Sequence, residues 1–279
     1  MTESKVWFVT GASSGFGRSM TETLLKQGHE VVATLRKPEA LSDLVAKYPS
    51  TQLLVVKCDV TQSADITAAF TKAHEAFGRV DVVFNNAGQM ITGEVEAVAE
   101  ADARVMFDIN FWGAAQVSRE AVRFFREVNQ PRGGRLLQVS SGLGLTGHAS
   151  CAFYTLEGFS ESLADELDPA WNIKITVIEP GPFRTQISQA NCQMAPVHPA
   201  YANPSLPGSQ FRTIFTQDFL YDGDPDKACV AIEKVSRLEN PPMRLPLHRR
   251  VVEMATRKGK SLQEVAEQYG SWSKDLYFD

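Results

Sequence analysis

Apolar residues along this chain follow two alternating patterns. Short unbroken runs, rich in β-branched residues, occupy 6–9, 30–34, 53–58, 80–84, 135–139 and 173–178. Between them apolar residues recur every three or four positions, as on one face of a helix. Such stretches cover 19–27, then 64–77 with Asp65 near its start and Gly78 after its end, then 101–129, long enough for two helices. Continuous apolar runs separated by helices mean parallel strands buried on both faces and joined by right-handed crossovers. The pattern predicts an α/β fold. No repeat, low-complexity segment or linker divides it, so residues 1–279 read as one domain.

Polar and glycine-rich residues gather at one place in each unit, just after the strand. The first such turn is Thr10-Gly11-Ala12-Ser13-Ser14-Gly15-Phe16-Gly17, followed by a helix. Gly11 opens the turn, Gly15 lets the backbone approach a pyrophosphate, and Gly17 has no side chain to hold the helix off the strand. Unpaired N–H groups and the dipole at such a helix start suit a diphosphate. The spacing is G-x-x-x-G-x-G and not the better-known G-x-G-x-x-G, and a plain tight turn would use the same glycines. Asp59-Val60, Asn86-Ala87-Gly88, Ser141 and Pro180-Gly181 close four other units. In an open parallel sheet these ends lie along one edge, where such folds bind ligands. All five turns are expected to converge there.

Periodicity fails between about 189 and 226. Pro196, Pro199, Pro204, Pro207 and Pro225 interrupt it, with Tyr201, Phe211, Phe215, Phe219 and Tyr221 interleaved. A long irregular insert of this kind is usually functional or disordered. Its apolar content fits a lid over an apolar substrate pocket; the alternative is a flap packed on a neighbouring subunit. An extension from about 251 carries a short helical pattern at 262–269. The sequence leaves open whether the aromatic end, Trp272, Tyr277 and Phe278, packs on the domain or on a partner.

Composition narrows the class. The chain is 43% hydrophobic and 22% charged, as in soluble globular proteins. A net charge of -5 and a pI near 5.6 argue against general nucleic-acid binding. No apolar run approaches the ~20 residues of a membrane span, and the first strand leaves no room for a signal peptide. Cys58, Cys151, Cys192 and Cys229 are scattered without a C-x-x-C pair, which fits reduced thiols and no zinc site. The cytoplasm is the default location, and no metal is expected.

Together, the Thr10–Gly17 turn, Asn85-Asn86-Ala87-Gly88, Asn110 in a helix, Ser141 thirteen residues before Tyr154, and Pro180-Gly181 followed by Thr185 resemble the short-chain dehydrogenase/reductase family. The resemblance covers residues 5 to 250. In wording it is nearest to the 17β-hydroxysteroid dehydrogenase and retinol dehydrogenase-like branch. It implies a Rossmann-type three-layer αβα sandwich with a seven-stranded parallel sheet. It also implies hydride transfer between a nicotinamide cofactor and a hydrophobic carbonyl or alcohol, and a homodimer or homotetramer. Tyr154 would be the acid/base at the substrate oxygen, Ser141 would hydrogen-bond that oxygen, and Asn110 would hold a relay water. The turn residues Gly11, Ser13, Ser14, Gly15, Phe16 and Gly17 would cradle the cofactor, and Ala87, Gly88, Pro180 and Gly181 would line its site. Asp59 and Val60 would bracket the adenine, Asn86 would contact its ribose, and Thr185 would contact the nicotinamide amide.

Charge bears on the choice of cofactor. NAD enzymes usually place Asp or Glu at the end of the second strand, to accept from the ribose 2′-OH. Here that place reads Thr34-Leu35-Arg36-Lys37. Two cations and no carboxylate suit a 2′-phosphate, so NADP(H) is expected. NAD(H) is the alternative if Arg36 and Lys37 form only a solvated turn.

One departure matters. The family motif is Tyr-x-x-x-Lys, yet the fourth residue after Tyr154 is Gly158. Related sequences would hold about five more residues before Leu156-Glu157-Gly158, the lysine among them. That ammonium would bring the tyrosine from its ordinary pKa of about 10 towards working pH. A five-residue cut turns the following helix by roughly 140°. The favoured outcome is a helix that starts later, keeps Leu156, Phe159, Leu163 and Leu167 as its buried stripe, and distorts the active-site turn. A second alignment places Ala149 and Phe153 at the tyrosine and lysine positions, at the cost of the Ser–Tyr spacing.

Lone His148 is a weak stand-in base, and Asp165, Glu166 and Asp168 read as a solvated face. Ser14 lacks the G-x-S-x-G spacing of a nucleophile elbow. Two functions stay open: an NADP(H)-dependent oxidoreductase, and a catalytically silent nucleotide-binding or scaffold protein on the same fold.

Overall fold

A computed structural model describes residues 3–154, 156–186, 192–217 and 220–278. Its strands are β1 (Val6–Thr10), β2 (Glu30–Leu35), β3 (Leu53–Lys57), β4 (Val82–Asn85), β5 (Met90–Thr92), β6 (Gly134–Val139), β7 (Ile173–Pro180), β8 (Cys192–Met194) and β9 (Arg244–Leu247). Its helices are α1 (Gly15–Lys26), α2 (Ser42–Lys47), α3 (Ser63–Phe77), α4 (Glu100–Phe107), α5 (Ala114–Glu127), α6 (Gly142–Leu145), α7 (Leu156–Glu166), α8 (Pro207–Phe215), α9 (Pro225–Ser236) and α10 (Arg249–Tyr269). Seven strands form one sheet in the order β3-β2-β1-β4-β6-β7-β9, and every pair in it is parallel. Strands β5 and β8 form a small parallel pair.

The layers follow from side-chain alternation along a strand. Trp7 and Val9 of β1 face one side, where Met20 and Leu24 of α1 and Ile232 of α9 cover them. Val6 and Phe8 face the other, against Phe70 of α3 and Phe124 and Phe125 of α5. Phe8 stacks on Phe70 with ring centroids 4.2 Å apart. Because both faces are covered, all five residues of β1 are buried, which is why its sequence is an unbroken apolar run. The result is the expected αβα sandwich around a seven-stranded parallel sheet.

Four local differences have physical causes. The seventh strand, β9, escaped the pattern because it is short, half-buried and at the sheet edge. Edge strands tolerate a proline such as Pro246 that cannot donate to the ladder. Helix α1 starts at Gly15, four residues before its periodic part. The 101–129 stretch is one helical run broken by a π-helical turn at Asp108–Gly113. Helix α10 is 21 residues long and not confined to 262–269. Val251 alone is buried along it, and the polar run Thr256-Arg257-Lys258-Gly259-Lys260 interrupts its apolar positions; pairs such as Gln263–Glu267 (2.8 Å) support its exposed turns. Trp272, Tyr277 and Phe278 beyond it are exposed. No described helix is long and apolar enough to cross a membrane.

Candidate active site

The carboxyl ends of β1, β4, β6 and β7 open into one cleft of about 710 Å³. Gly11 and Gly15 in the first turn take left-handed conformations, φ +66° and +52°, which glycine adopts without strain. Gly17 lies beneath the turn and not in the cleft wall: a Cβ there would stand 2.2 Å from the Gly11 carbonyl oxygen. Asn86 ties the turn to β4. Its side-chain amide donates to the Thr10 carbonyl (3.0 Å), and the Thr10 hydroxyl accepts the N–H groups of Asn86 and Ala87 at 2.8 and 2.9 Å. Thr185 stands over Gly15, 3.2 Å from where its Cβ would be. This cradle, closed to any side chain and set at the start of α1, fits a diphosphate. Gly17→Ala should therefore weaken binding of a nicotinamide dinucleotide at least about tenfold, because the added methyl meets backbone that must shift. Fluorescence titration checks this; unchanged affinity would reject the cradle.

Ser13, Ser14, Phe16, Asp59, Val60, Ala87, Gly88, Pro180 and Gly181 also line the cleft. Asp59 is held in place by Thr61, whose N–H and hydroxyl donate to its carboxylate at 3.0 and 2.8 Å. Arg36 reaches the cleft from the end of β2, whereas Lys37 does not line it. Arg36 and Lys37 are both exposed.

Ser141, Asn110 and Tyr154 face the same cleft. The Ser141 hydroxyl accepts the Leu143 N–H (3.1 Å) and so caps α6. Asn110 sits in the π-helical turn, a distortion frequent at functional sites. Its side chain accepts the Gln89 N–H (3.0 Å) and donates to the Gln89 carbonyl (2.8 Å), which joins the helix to the loop after β4. Helix α7 starts at Leu156, so Tyr154 lies in the loop before it. Leu163 and Leu167 still pack on the core, and Phe159 meets Phe111 with centroids 5.9 Å apart. The helix is kept. Tyr154 packs against Met90, Cys151 and Phe215. Burial, with the neighbouring Cys151 and Cys192, pushes its phenol well above the usual tyrosine range. The cleft lining includes arginines but no lysine. Ala149 is exposed and outside the lining, which speaks against the second alignment. His148 reaches the cleft with its ring tilted against Phe211, centroids 4.8 Å apart.

Of the aromatic residues expected in the 189–226 segment, Phe211, Phe215 and Tyr221 do line the cleft, and other contributors were not visible as motifs. Phe211, Phe215, Leu220 and Tyr221 bring the proline-rich segment to the cleft, while Tyr201 packs against His198 outside it. Phe219 and residues 189–191 lie outside the described residues. Arg212 of α8 anchors that segment through a buried pair with Glu94, 2.6 Å. Behind Ser141, the Ser140 hydroxyl donates to Glu157 (2.9 Å), and Arg244 binds Glu157, Glu161 (2.9 Å) and the fully buried Glu179 (2.5 Å). Burial raises the Glu179 carboxyl above its ordinary value. Arg250, Val251 and Met254 of α10 close one side. For Glu94, Arg212, Glu179, Arg244 and Arg250, only a cation or a carboxylate next to a turn could have signalled them in the sequence, and such signals are common on any surface.

Comparison with known proteins agrees with this geometry. The sequence pattern of the short chain dehydrogenase family matches residues 5–195. Oxidoreductase calM of Penicillium decumbens is 35% identical over 271 residues, covering 92% of this chain and 88% of its own. The 3-ketodihydrosphingosine reductase of Bacteroides thetaiotaomicron is 30% identical and covers 98% and 94%. A short-chain dehydrogenase from Streptomyces avermitilis superposes with a TM-score of 0.88 over the whole of both chains at 33% identity. A matching family pattern, relatives aligned over nearly their full length, and glycine, asparagine, serine and tyrosine residues gathered on one sheet edge lead to one conclusion: the chain belongs to the short-chain dehydrogenase family of oxidoreductases.

Proposed function

We propose that this chain is an NADP(H)-dependent oxidoreductase acting on a hydrophobic ketone, aldehyde or secondary alcohol, with turnover limited by the absent lysine. The observation that carries this reading is the convergence of the glycine cradle, Ser141 and Tyr154 on one cleft whose other wall is aromatic. The cofactor would supply or accept the hydride. The cradle from Gly11 to Gly17 holds its diphosphate, Asp59 and Val60 flank its adenine, and Asn86, Ala87, Gly88, Pro180, Gly181 and Thr185 bound the rest. Ser141 donates a hydrogen bond to the substrate oxygen, Tyr154 gives or takes the proton there, and Asn110 keeps the relay water. Residues 189–226 serve as the lid that keeps the pocket apolar within a single domain, and a homodimer or homotetramer is the assembly expected.

Arg36 is the residue of this reading that selects the cofactor, with Lys37 as a secondary charge outside the cleft wall. NADPH is expected to bind more tightly than NADH, and Arg36→Ala to cost NADPH about tenfold while leaving NADH nearly unchanged. That is the size of one charge-assisted contact, about 1.5–3 kcal/mol, reduced by exposure. Parallel fluorescence titrations measure it. Tighter binding of NADH would overturn the NADP(H) assignment. The burial of Tyr154 without a neighbouring lysine favours one second reading, a nucleotide-binding protein that does not turn over. NADPH binding without carbonyl reduction, unchanged when the lysine is restored, would select it.

A further inference from the structure

We propose that Arg250 anchors an anionic group of the substrate, so that the pocket takes an apolar oxo or hydroxy acid in preference to a neutral ketone or alcohol. This rests on the oxidoreductase reading above. Arg250 is half-buried and lines the cleft from the first turn of α10. Its guanidinium makes no hydrogen bond or ion pair with a described residue; the contact recorded for Arg250 is its own N–H donating to His248 Nδ1 at 3.3 Å. Its neighbours differ: Arg249 pairs with Asp222, Arg244 with three glutamates, and Arg212 with Glu94. Asp222 feels the charge of Arg250, but its two oxygens are already held by His248 Nε2 (2.8 Å) and Arg249.

The backbone that carries this cation is fixed. Val251, 1% exposed, presses a methyl to 2.8 Å from where a Cβ on Gly142 would be. That clamps the first turn of α10 against the residue after Ser141. Arg36 and Arg250 are the arginines of the cleft lining, and they serve different ends. Arg36 follows β2, beside the proposed adenosine site, and Arg250 stands by the Ser141 loop. Much of the lining between is apolar, with Met90, Phe153, Phe215 and Leu220. A guanidinium drawn out of water into such a wall is costly without a counter-charge. A carboxylate offers it two parallel hydrogen bonds, a geometry that suits arginine better than lysine. The shared chemistry is an oxyanion, and a phosphate of the cofactor is the competing source.

Calorimetric titration of the full chain with decanoate and with decan-1-ol, each with and without saturating NADPH, tests the proposal. Wild type should bind decanoate at least tenfold more tightly than decan-1-ol. Arg250→Ala should abolish that difference and leave decan-1-ol binding unchanged, and Arg250→Lys should keep part of it. Equal binding of the two probes by wild type, or decanoate binding unaffected by Arg250→Ala, overturns the proposal. So does a tenfold loss of NADPH affinity in Arg250→Ala with decanoate unaffected, because it assigns the residue to the cofactor. Binding of the probes needs no turnover, so failure here is distinct from failure of the oxidoreductase reading, which NADPH binding and carbonyl reduction decide.

Discussion

Insertion of five residues after Tyr154, with lysine as the fourth, is expected to raise NADPH-dependent carbonyl reduction about 30- to 1000-fold. If an ammonium at that place is worth ~2–4 kcal/mol to the transition state, the rise follows, since each 1.36 kcal/mol is tenfold in rate. In the present chain Tyr154 is half-buried beside two thiols, with its phenol pushed up and no lysine in the cleft lining. It holds its proton firmly, so it is a poor base for alcohol oxidation and a poor proton donor to a carbonyl. A lysine one helical turn on would stabilise the tyrosinate and draw its pKa down. The insertion lies ahead of Leu156, so the ties of Glu157 to Ser140 and Arg244 need not break. Two controls separate geometry from charge. An insertion with methionine as the fourth residue rebuilds the turn without the ammonium and should recover little. The rise of alcohol oxidation with pH should move to lower pH only in the lysine insertion. If neither insertion changes turnover while NADPH still binds, Tyr154 is not the acid/base of this chain.

Arg212→Met is expected to cost about 3–5 kcal/mol, the usual penalty for leaving one partner of a buried ion pair uncompensated. Glu94 and Arg212 are both nearly buried and make a two-point contact, Nε to Oε1 at 3.0 Å and a second nitrogen to Oε2 at 2.6 Å. Arg212 also donates to the Ala195 carbonyl at 2.7 Å, so one side chain ties α8 to the segment after β8 and to the loop after β5. The hydrogen bond from Arg212 holds the Glu94 carboxyl below the ordinary value of 4.5. A lowered carboxylate pKa contributes stability that is present above the unfolded value and lost as pH falls through the folded one. The gap between wild type and variant should therefore be full at pH 7 and shrink below about pH 4. Denaturant melts measure the loss, and hydrogen exchange across 195–215 shows whether α8 opens alone. The double variant Glu94→Gln, Arg212→Met should recover part of the loss, because no unpaired charge remains. A single-variant cost under about 1 kcal/mol would mean that the pair does not hold the segment.

Legibility differed between parts of this fold for identifiable reasons. Five of the six readable strands lie inside the sheet and are covered on both faces, so their apolar runs are continuous in sequence, and β3, an edge strand, was readable from its run Leu53-Leu54-Val55-Val56. Strand β9 was not, since an edge position half-exposes it and tolerates Pro246. Most of α10 was not, since the polar run Thr256-Arg257-Lys258-Gly259-Lys260 interrupts its apolar positions. The turns after the strands were readable as groups, and they do meet at one cleft, because parallel crossovers bring every carboxyl end to the same edge. The departure after Tyr154 was readable as a spacing, with Gly158 as the fourth residue on.

What the sequence determined by itself is therefore local: strand and helix order, the steric demand for glycine at 11, 15 and 17, and the lysine missing after Tyr154. Each depends on residues within a few positions of one another. The tertiary structure alone decided which charges meet the cleft. Arg36 lines it and Lys37 does not, Arg250 arrives from a helix more than a hundred residues after Ser141, and Arg244 gathers Glu157, Glu161 and Glu179 from two other elements. Burial and pairing of a charge depend on every segment packed around it, and that information is spread over the whole chain.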